Sequence, residues 1–256
     1  MQPADRIERL ITAISGLSDY RMKIVENVVG VFELPKAFER NTASDLITSG
    51  VVDDFGDVLR IHHCFSREPF SKDKFEFALE RVMQAAGKTA ALAARGQRGF
   101  DIAINDQRFS LKTEAAKAIR TDSIHISKFM ELGGGVWGEN PGDLIGLRKR
   151  FLELLAGIER ILILRAIRKG TPDYFYELVE IPKSLLAKAE GGRLEMMSKS
   201  VQMPKPGYCY VEENGETQFS LYFDGGGERK LQVKGLLKSH CILHASWQFE
   251  PLDTQF

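Results

Sequence analysis

GFDIAINDQRFSLKTEA, residues 99 to 115, alternates apolar and polar positions around the turn-prone pair Asn105-Asp106, which is the pattern of a β-hairpin. With the turn placed there, Ile104 faces Gln107 and Asp101 faces Ser110. Opposed residues of an antiparallel pair share a face, as do alternate residues along each strand. Asp101, Ala103, Arg108, Ser110 and Lys112 therefore fall on one side, and Phe100, Ile102, Ile104, Phe109 and Leu111 on the other. One side suits a core. The other gathers an acid, a hydroxyl and a lysine within a few ångströms.

Those residue types together describe metal-assisted phosphodiester hydrolysis. An aspartate supplies hard oxygen to a divalent cation, and magnesium in particular keeps water and takes phosphate oxygens in the rest of its coordination sphere. A neighbouring ammonium stabilises the charge that builds on an attacked phosphate, or helps position the attacking water.

Working outward, residues 7 to 24 read as one amphipathic helix and residues 73 to 94 as another, with two or three short helices in the stretch from Glu39 to Ser66. SIHIS at 123 to 127 predicts a short strand. ELGGGVWGENPGD at 131 to 143 predicts a loop able to wrap a groove, and residues 144 to 169 a long core helix. DYFYELVEIP predicts a buried strand stopped by Pro182, KSLLAKAEGG a short helix, and the remainder four strands, GYCYVEE, TQFSLYF, KLQVKGL and HCILHASWQF, separated by GE and DGGGER turns. The expected organisation is an N-terminal helical region over 1–70, an α/β core over 71–190, and a β-rich region over 191–256 that completes the same domain or contacts a ligand.

Composition narrows the classes. Lys and Arg number 35 and Asp and Glu 35, so the chain lacks the global basic bias of a nonspecific nucleic-acid binder, and any such contact needs a local basic surface. No apolar run is long enough to span a bilayer, and the N-terminus lacks a signal-peptide pattern, from which a cytoplasmic location is expected. Cys64, Cys209 and Cys241 are odd in number and widely spaced, which predicts free thiols. Adjacent His62 and His63 do not have the spacing of a zinc pair, and no nucleophile elbow, Walker loop or dinucleotide fingerprint occurs.

Asp101, followed on the next strand by Ser110-Leu111-Lys112, resembles the active-site motif of the PD-(D/E)xK nucleases, and within them of the type II restriction endonucleases. GFDI, FSLKTE, SIHISKFMELG and YELVEIP carry the same resemblance, which covers about residues 76 to 183. It implies an α/β fold with a mixed central sheet flanked by helices, catalytic roles for Asp101, Lys112 and Ser110, a Mg²⁺ cofactor, and double-stranded DNA as substrate. It further implies a homodimer acting on symmetric sites and a cognate DNA methyltransferase encoded alongside.

Ser110 departs from the motif, because that position should be acidic and a hydroxyl is a much poorer metal ligand than a carboxylate. Another acid must then join Asp101 as metal ligand. Glu80, on the preceding helix, is the favoured replacement; Glu114, which shares strand parity with Lys112, and Glu76, one helical turn before Glu80, are the alternatives. For DNA contact the candidates are Arg108 beside the turn, and Lys234, Lys238 and His240 along the basic C-terminal strands, where Lys230, Lys234 and Lys238 recur every four residues. Two further readings share Asp101 and Lys112 or their remnants: a repair nicking nuclease or junction resolvase, and a non-catalytic DNA-binding protein with a degenerate core.

Overall fold

The structure is a computed structural model that describes residues 3–94, 96, 99–133, 137–170 and 172–252. The hairpin is present in the expected register. Strands β3 (Ile102–Ile104) and β4 (Gln107–Glu114) pair Ile104 with Gln107 and Ile102 with Phe109. Asn105 and Asp106 turn with φ of 47° and 67°, the two left-handed residues of a type I′ turn.

Around β4 a seven-stranded mixed sheet forms in the order β1-β12-β7-β6-β4-β3-β2. Its other members are β1 (Lys36–Arg40), β2 (Ala90–Leu92), β6 (Arg160–Arg168), β7 (Tyr174–Ile181) and β12 (Ile242–Phe249). β4 and β6 run parallel, and the remaining neighbours are antiparallel. Joining parallel strands needs a crossover. The chain makes it through β5 (Ser123–Glu131) and helix α5 (Asp143–Ala156).

Helices α3 (Ser49–Phe65) and α4 (Lys72–Ala85) cover one sheet face, with Phe55, Phe75, Leu79 and Met83 buried in one core with Ile102, Phe109, Leu111, Tyr176 and Trp247. The other face packs on α5 and on a second sheet ordered β5-β11-β10-β9-β8. That sheet uses β8 (Arg193–Met196), β9 (Gly207–Glu213), β10 (Glu216–Asp224) and β11 (Lys230–Leu237). The chain is thus an α/β protein whose mixed sheet is flanked by helices. β1 and β12 lie in the same sheet as β4, although they come from opposite ends of the sequence.

Several local expectations are corrected. The helix expected over 7 to 24 is two helices, α1 (Pro3–Ser15) and α2 (Asp19–Glu33), separated where Ser18 becomes extended (φ −67°, ψ 159°). The helix expected over 73 to 94 stops at Ala85, beyond which Gly87 takes φ 77°; the Ala-rich residues that follow become β2 because β3 offers them a ladder. The short helices expected before Ser66 are the single α3, capped by Thr48, with β1 ahead of it.

The largest correction concerns residues 144 to 169. α5 ends at Ala156, and RILILRAIR is the buried strand β6, with Leu162 and Leu164 in the helix-side core and Ile161 and Ile163 in the other. A strand covered on both faces runs apolar through consecutive positions, as ILIL does here, and carries no alternation to distinguish it from a buried helix. SIHIS extends to the nine residues of β5, and the turn assigned to GE falls on Asn214 and Gly215. Residues 134–136 of the glycine-rich loop lie outside the described residues, but Trp137 within it is buried and donates from Nε1 to the Lys205 carbonyl at 3.0 Å. Cys64 and Cys209 are buried free thiols, and Cys241 is a half-buried one.

His63 ties α3 to the sheet. The Tyr176 hydroxyl hydrogen-bonds with its Nε2 at 2.7 Å, Nδ1 donates to the Ser66 carbonyl at 2.9 Å, and the ring stacks on Tyr174 with centroids 3.7 Å apart. Burial pushes its pKa down to about 4. Between that value and the ordinary 6.5, the unfolded chain binds a proton that the folded chain does not, so stability is full above 6.5 and falls with pH toward 4. Urea unfolding at pH 7, 5.5 and 4.5 should show a loss from this group of up to about 3 kcal/mol, and His63→Gln should flatten that limb. Equal slopes in the two proteins would remove His63 as the cause.

Candidate active site

Asp101 is placed by the hairpin backbone, its N–H donating to the Phe109 carbonyl at 2.8 Å just before β3 begins. Its Oδ2 then accepts the Leu111 N–H at 2.6 Å and the Ser110 hydroxyl at 3.2 Å. Lys112 reaches the same place from β4. Its Nζ donates to Ser110 Oγ at 2.8 Å, lies 3.8 Å from Asp101 Oδ2, and sits 5.1 Å from the centroid of Phe129, which β5 supplies. Asp101, Ser110 and Lys112 are therefore one connected group.

The helix before the hairpin adds a second cation. Ser71 caps α4, and Lys72 in its first turn extends Nζ to 2.7 Å from Asp101 Oδ1 and 2.8 Å from Glu76 Oε1. An ammonium is held between two carboxylates drawn from two different elements.

The protonation equilibria follow from burial and charge. Burial would raise the Asp101 pKa, but Lys112, Lys72 and the Leu111 N–H outweigh it and hold the carboxyl below its ordinary range. Lys112 is pushed down to about 8 by burial, against the opposing pull of Asp101. Burial also acts to lower Lys72, yet Asp101 and Glu76 together leave it above its ordinary value. The site thus holds an ionised acid beside a lysine that gives up its proton far more readily than a free one.

The other sequence candidates lie elsewhere. Glu80 turns to the sheet edge, where Oε1 accepts the Leu92 N–H at 2.9 Å. Glu114 shares the face of Lys112, as strand parity requires, but its Oε2 accepts Arg165 Nε at 2.6 Å and its Oε1 the His125 N–H at 3.0 Å. Of the three acids considered beside Asp101, Glu76 is the one that the structure joins to it through a shared partner.

The four residues proposed to contact DNA make no hydrogen bond or ion pair with Asp101, Lys72 or Lys112 among the described residues. Arg108 forks onto Glu159, with Nη2 to Oε1 at 2.5 Å. Lys234 lies 3.8 Å over the Tyr222 ring, Lys238 pairs with Glu177 at 2.6 Å, and His240 is exposed on a short turn.

Two features went unread in the sequence. Lys72 is one, although its place directly after the N-cap Ser71 of the helix preceding Asp101 was a usable signal. The other is the polar layer around Arg165. This fully buried side chain binds Glu114, Glu177 at 3.1 Å, and the carbonyls of Arg120 and Ser123 at 2.6 and 2.8 Å. Among the described residues, no group of three or more His, Cys, Asp or Glu side chains is arranged to hold a metal ion, and no helix is long and apolar enough to cross a membrane.

Removing one member of a buried ion pair leaves the other charge uncompensated, which costs about 3–5 kcal/mol. Glu114→Gln is accordingly expected to unfold at a lower urea concentration by that order, whereas Glu76→Gln at the open end of the site shifts the midpoint little. Comparable midpoints for the two variants would contradict the assignment of Glu114 to the structural layer.

Comparison with known proteins gives a consistent result. Residues 10–249 match the family described as SmaI, type II site-specific deoxyribonuclease. The chain is also 43% identical, over 246 residues, to the type II restriction enzyme SmaI of Serratia marcescens, an alignment that takes in 95% of this chain and 97% of that one. No solved structure matches the chain.

Proposed function

Because the chain belongs to the SmaI family of type II site-specific deoxyribonucleases, and so is a sequence-specific DNA endonuclease, we propose that Asp101, Glu76, Ser110 and Lys112 form the centre at which it hydrolyses the duplex. On this reading the core is of the PD-(D/E)xK kind, Ser110 stands at the motif's second acid, and Glu76 on α4 supplies the missing carboxylate. The observation that carries it is the Lys72 ammonium held at 2.7 and 2.8 Å between Asp101 and Glu76, beside the buried Lys112. A position that calls for a cation between two hard oxygen donors suits magnesium, which binds through one or two carboxylates and leaves its remaining sites to water and phosphate. When bound, the ion would supply positive charge against the phosphate under attack.

The side chains divide the remaining work. Hydrolysis adds a water oxygen to phosphorus and breaks the phosphorus–oxygen ester bond, leaving a phosphate monoester and a sugar hydroxyl. Lys112 is aimed by Ser110 and Asp101, and its ammonium can donate from Nζ to a phosphate oxygen as negative charge accumulates there. Ser110 keeps Lys112 and Asp101 in register by accepting from one and donating to the other. Glu80 and Glu114, whose oxygens serve the backbone and Arg165, support the site from outside it.

The family's activity sets aside the nicking, resolving and non-catalytic readings. Its double-stranded substrate favours a homodimer with one centre per strand, and a DNA methyltransferase of matching specificity fits as cellular companion without a part in cleavage. Arg108, Lys234, Lys238 and His240 remain candidates for DNA contact outside the centre.

Digestion of unmethylated plasmid and phage DNA with Mg²⁺ tests this assignment. Discrete fragments are expected from the wild-type protein and none with EDTA. Asp101→Asn, Glu76→Gln and Lys112→Met should each slow cleavage by about 10²–10⁴-fold, while Glu80→Gln stays near wild type. Wild-type rates in Asp101→Asn or Lys112→Met would reject the centre, and full activity in Glu76→Gln would reject that residue alone.

A further inference from the structure

Helix α1 stands apart from both cores. Ile7, Leu10, Ile11 and Ile14 recur at the spacing of a single helical stripe, yet Ile7 is 58% exposed, Leu10 55% and Ile11 57%. A helix of this length is marginal in water by itself, and such helices draw most of their stability from a partner that covers the apolar face.

The charges beside the stripe say what fits it. At 100° per residue, Arg6 lies along one edge of the stripe and Glu8 along the other. If two copies of α1 pack side by side and parallel about a two-fold axis that runs along them, each edge meets the opposite edge of its partner. Arg6 of each copy then faces Glu8 of the other, on both sides of the seam. A polyanion gains nothing from this surface, since its edges carry one charge of each sign and its centre is apolar.

We propose that the exposed stripe of α1 is a surface on which two copies of this chain associate, with the α1 helices parallel and Arg6 paired with Glu8 across the seam. The proposal rests on the reading of the enzyme as a homodimer and specifies its interface. Such a dimer carries two Asp101–Lys112 centres. The strands of a duplex are themselves antiparallel, so a two-fold pair can present one centre to each.

Sedimentation equilibrium of the full chain, without DNA, is the test. Wild type should show twice the 28.8 kDa chain mass at micromolar concentration. Leu10→Glu should raise the dimer dissociation constant about 30-fold or more, with circular dichroism and melting of the core unchanged. Arg6→Glu and Glu8→Arg should each weaken the dimer, and the double variant Arg6→Glu/Glu8→Arg should recover it, because the exchange restores both pairs. A monomeric wild type would overturn both the interface and the homodimer reading. A Leu10→Glu protein that stays dimeric would overturn the interface and leave the homodimer standing, and failure of the double exchange to recover association would overturn the parallel arrangement.

Discussion

Strand β4 is held between an antiparallel and a parallel neighbour in a sheet that is covered on both faces, and most of the molecule answers to that constraint. Phe109 and Leu111 enter one core without cost. Ser110, Lys112 and Glu114 point the other way, toward β5 and the row that Ile161, Ile163 and Arg165 form on β6. A polar row so placed is removed from water, and each member must find its partner within the protein. Asp101 and Arg165 are the two answers.

These answers differ in kind. Glu114 is matched fully by Arg165, which is itself satisfied by Glu177 and two carbonyls, while Lys238 closes the far side of Glu177. A network this densely bonded is rigid, and it fixes β4, β6 and β7 relative to one another. Lys112 is provided for less generously, by one hydroxyl, an aromatic face and a carboxylate at 3.8 Å. Its ammonium is correspondingly easy to deprotonate. The same strand thus carries a satisfied charge and, two residues earlier, a poorly satisfied one at the centre proposed for catalysis.

The hairpin, its register and the union of Asp101 with Lys112 were legible because they rest on period-two alternation and turn chemistry, which are local. β6 was not. Its apolar run carries no period when both faces are buried, and only the presence of β4 and β7 makes it a strand. β2 was hidden for the opposite reason, since its alanines favour a helix and a ladder with β3 overrides them. Among the acids, strand parity correctly put Glu114 on the face of Lys112 but could not reveal Arg165 waiting there. Which of Glu76 and Glu80 comes beside Asp101 depends on where α4 begins over the hairpin, which is a tertiary fact.

The position of β12 bears on how the molecule comes into being. Residues 242 to 249 are inserted between β1 and β7, Trp247 donates to the Val52 carbonyl on α3, and the Phe38 and Trp247 rings leave Gly56 no room for a Cβ. β1 therefore has no sheet neighbour until this strand has been made. Contacts that close so long a loop form late, and a chain emerging from the ribosome has produced its acid and lysine long before it can complete the scaffold around them. For a protein that cuts DNA, that order of assembly delays a competent molecule until synthesis has passed residue 249.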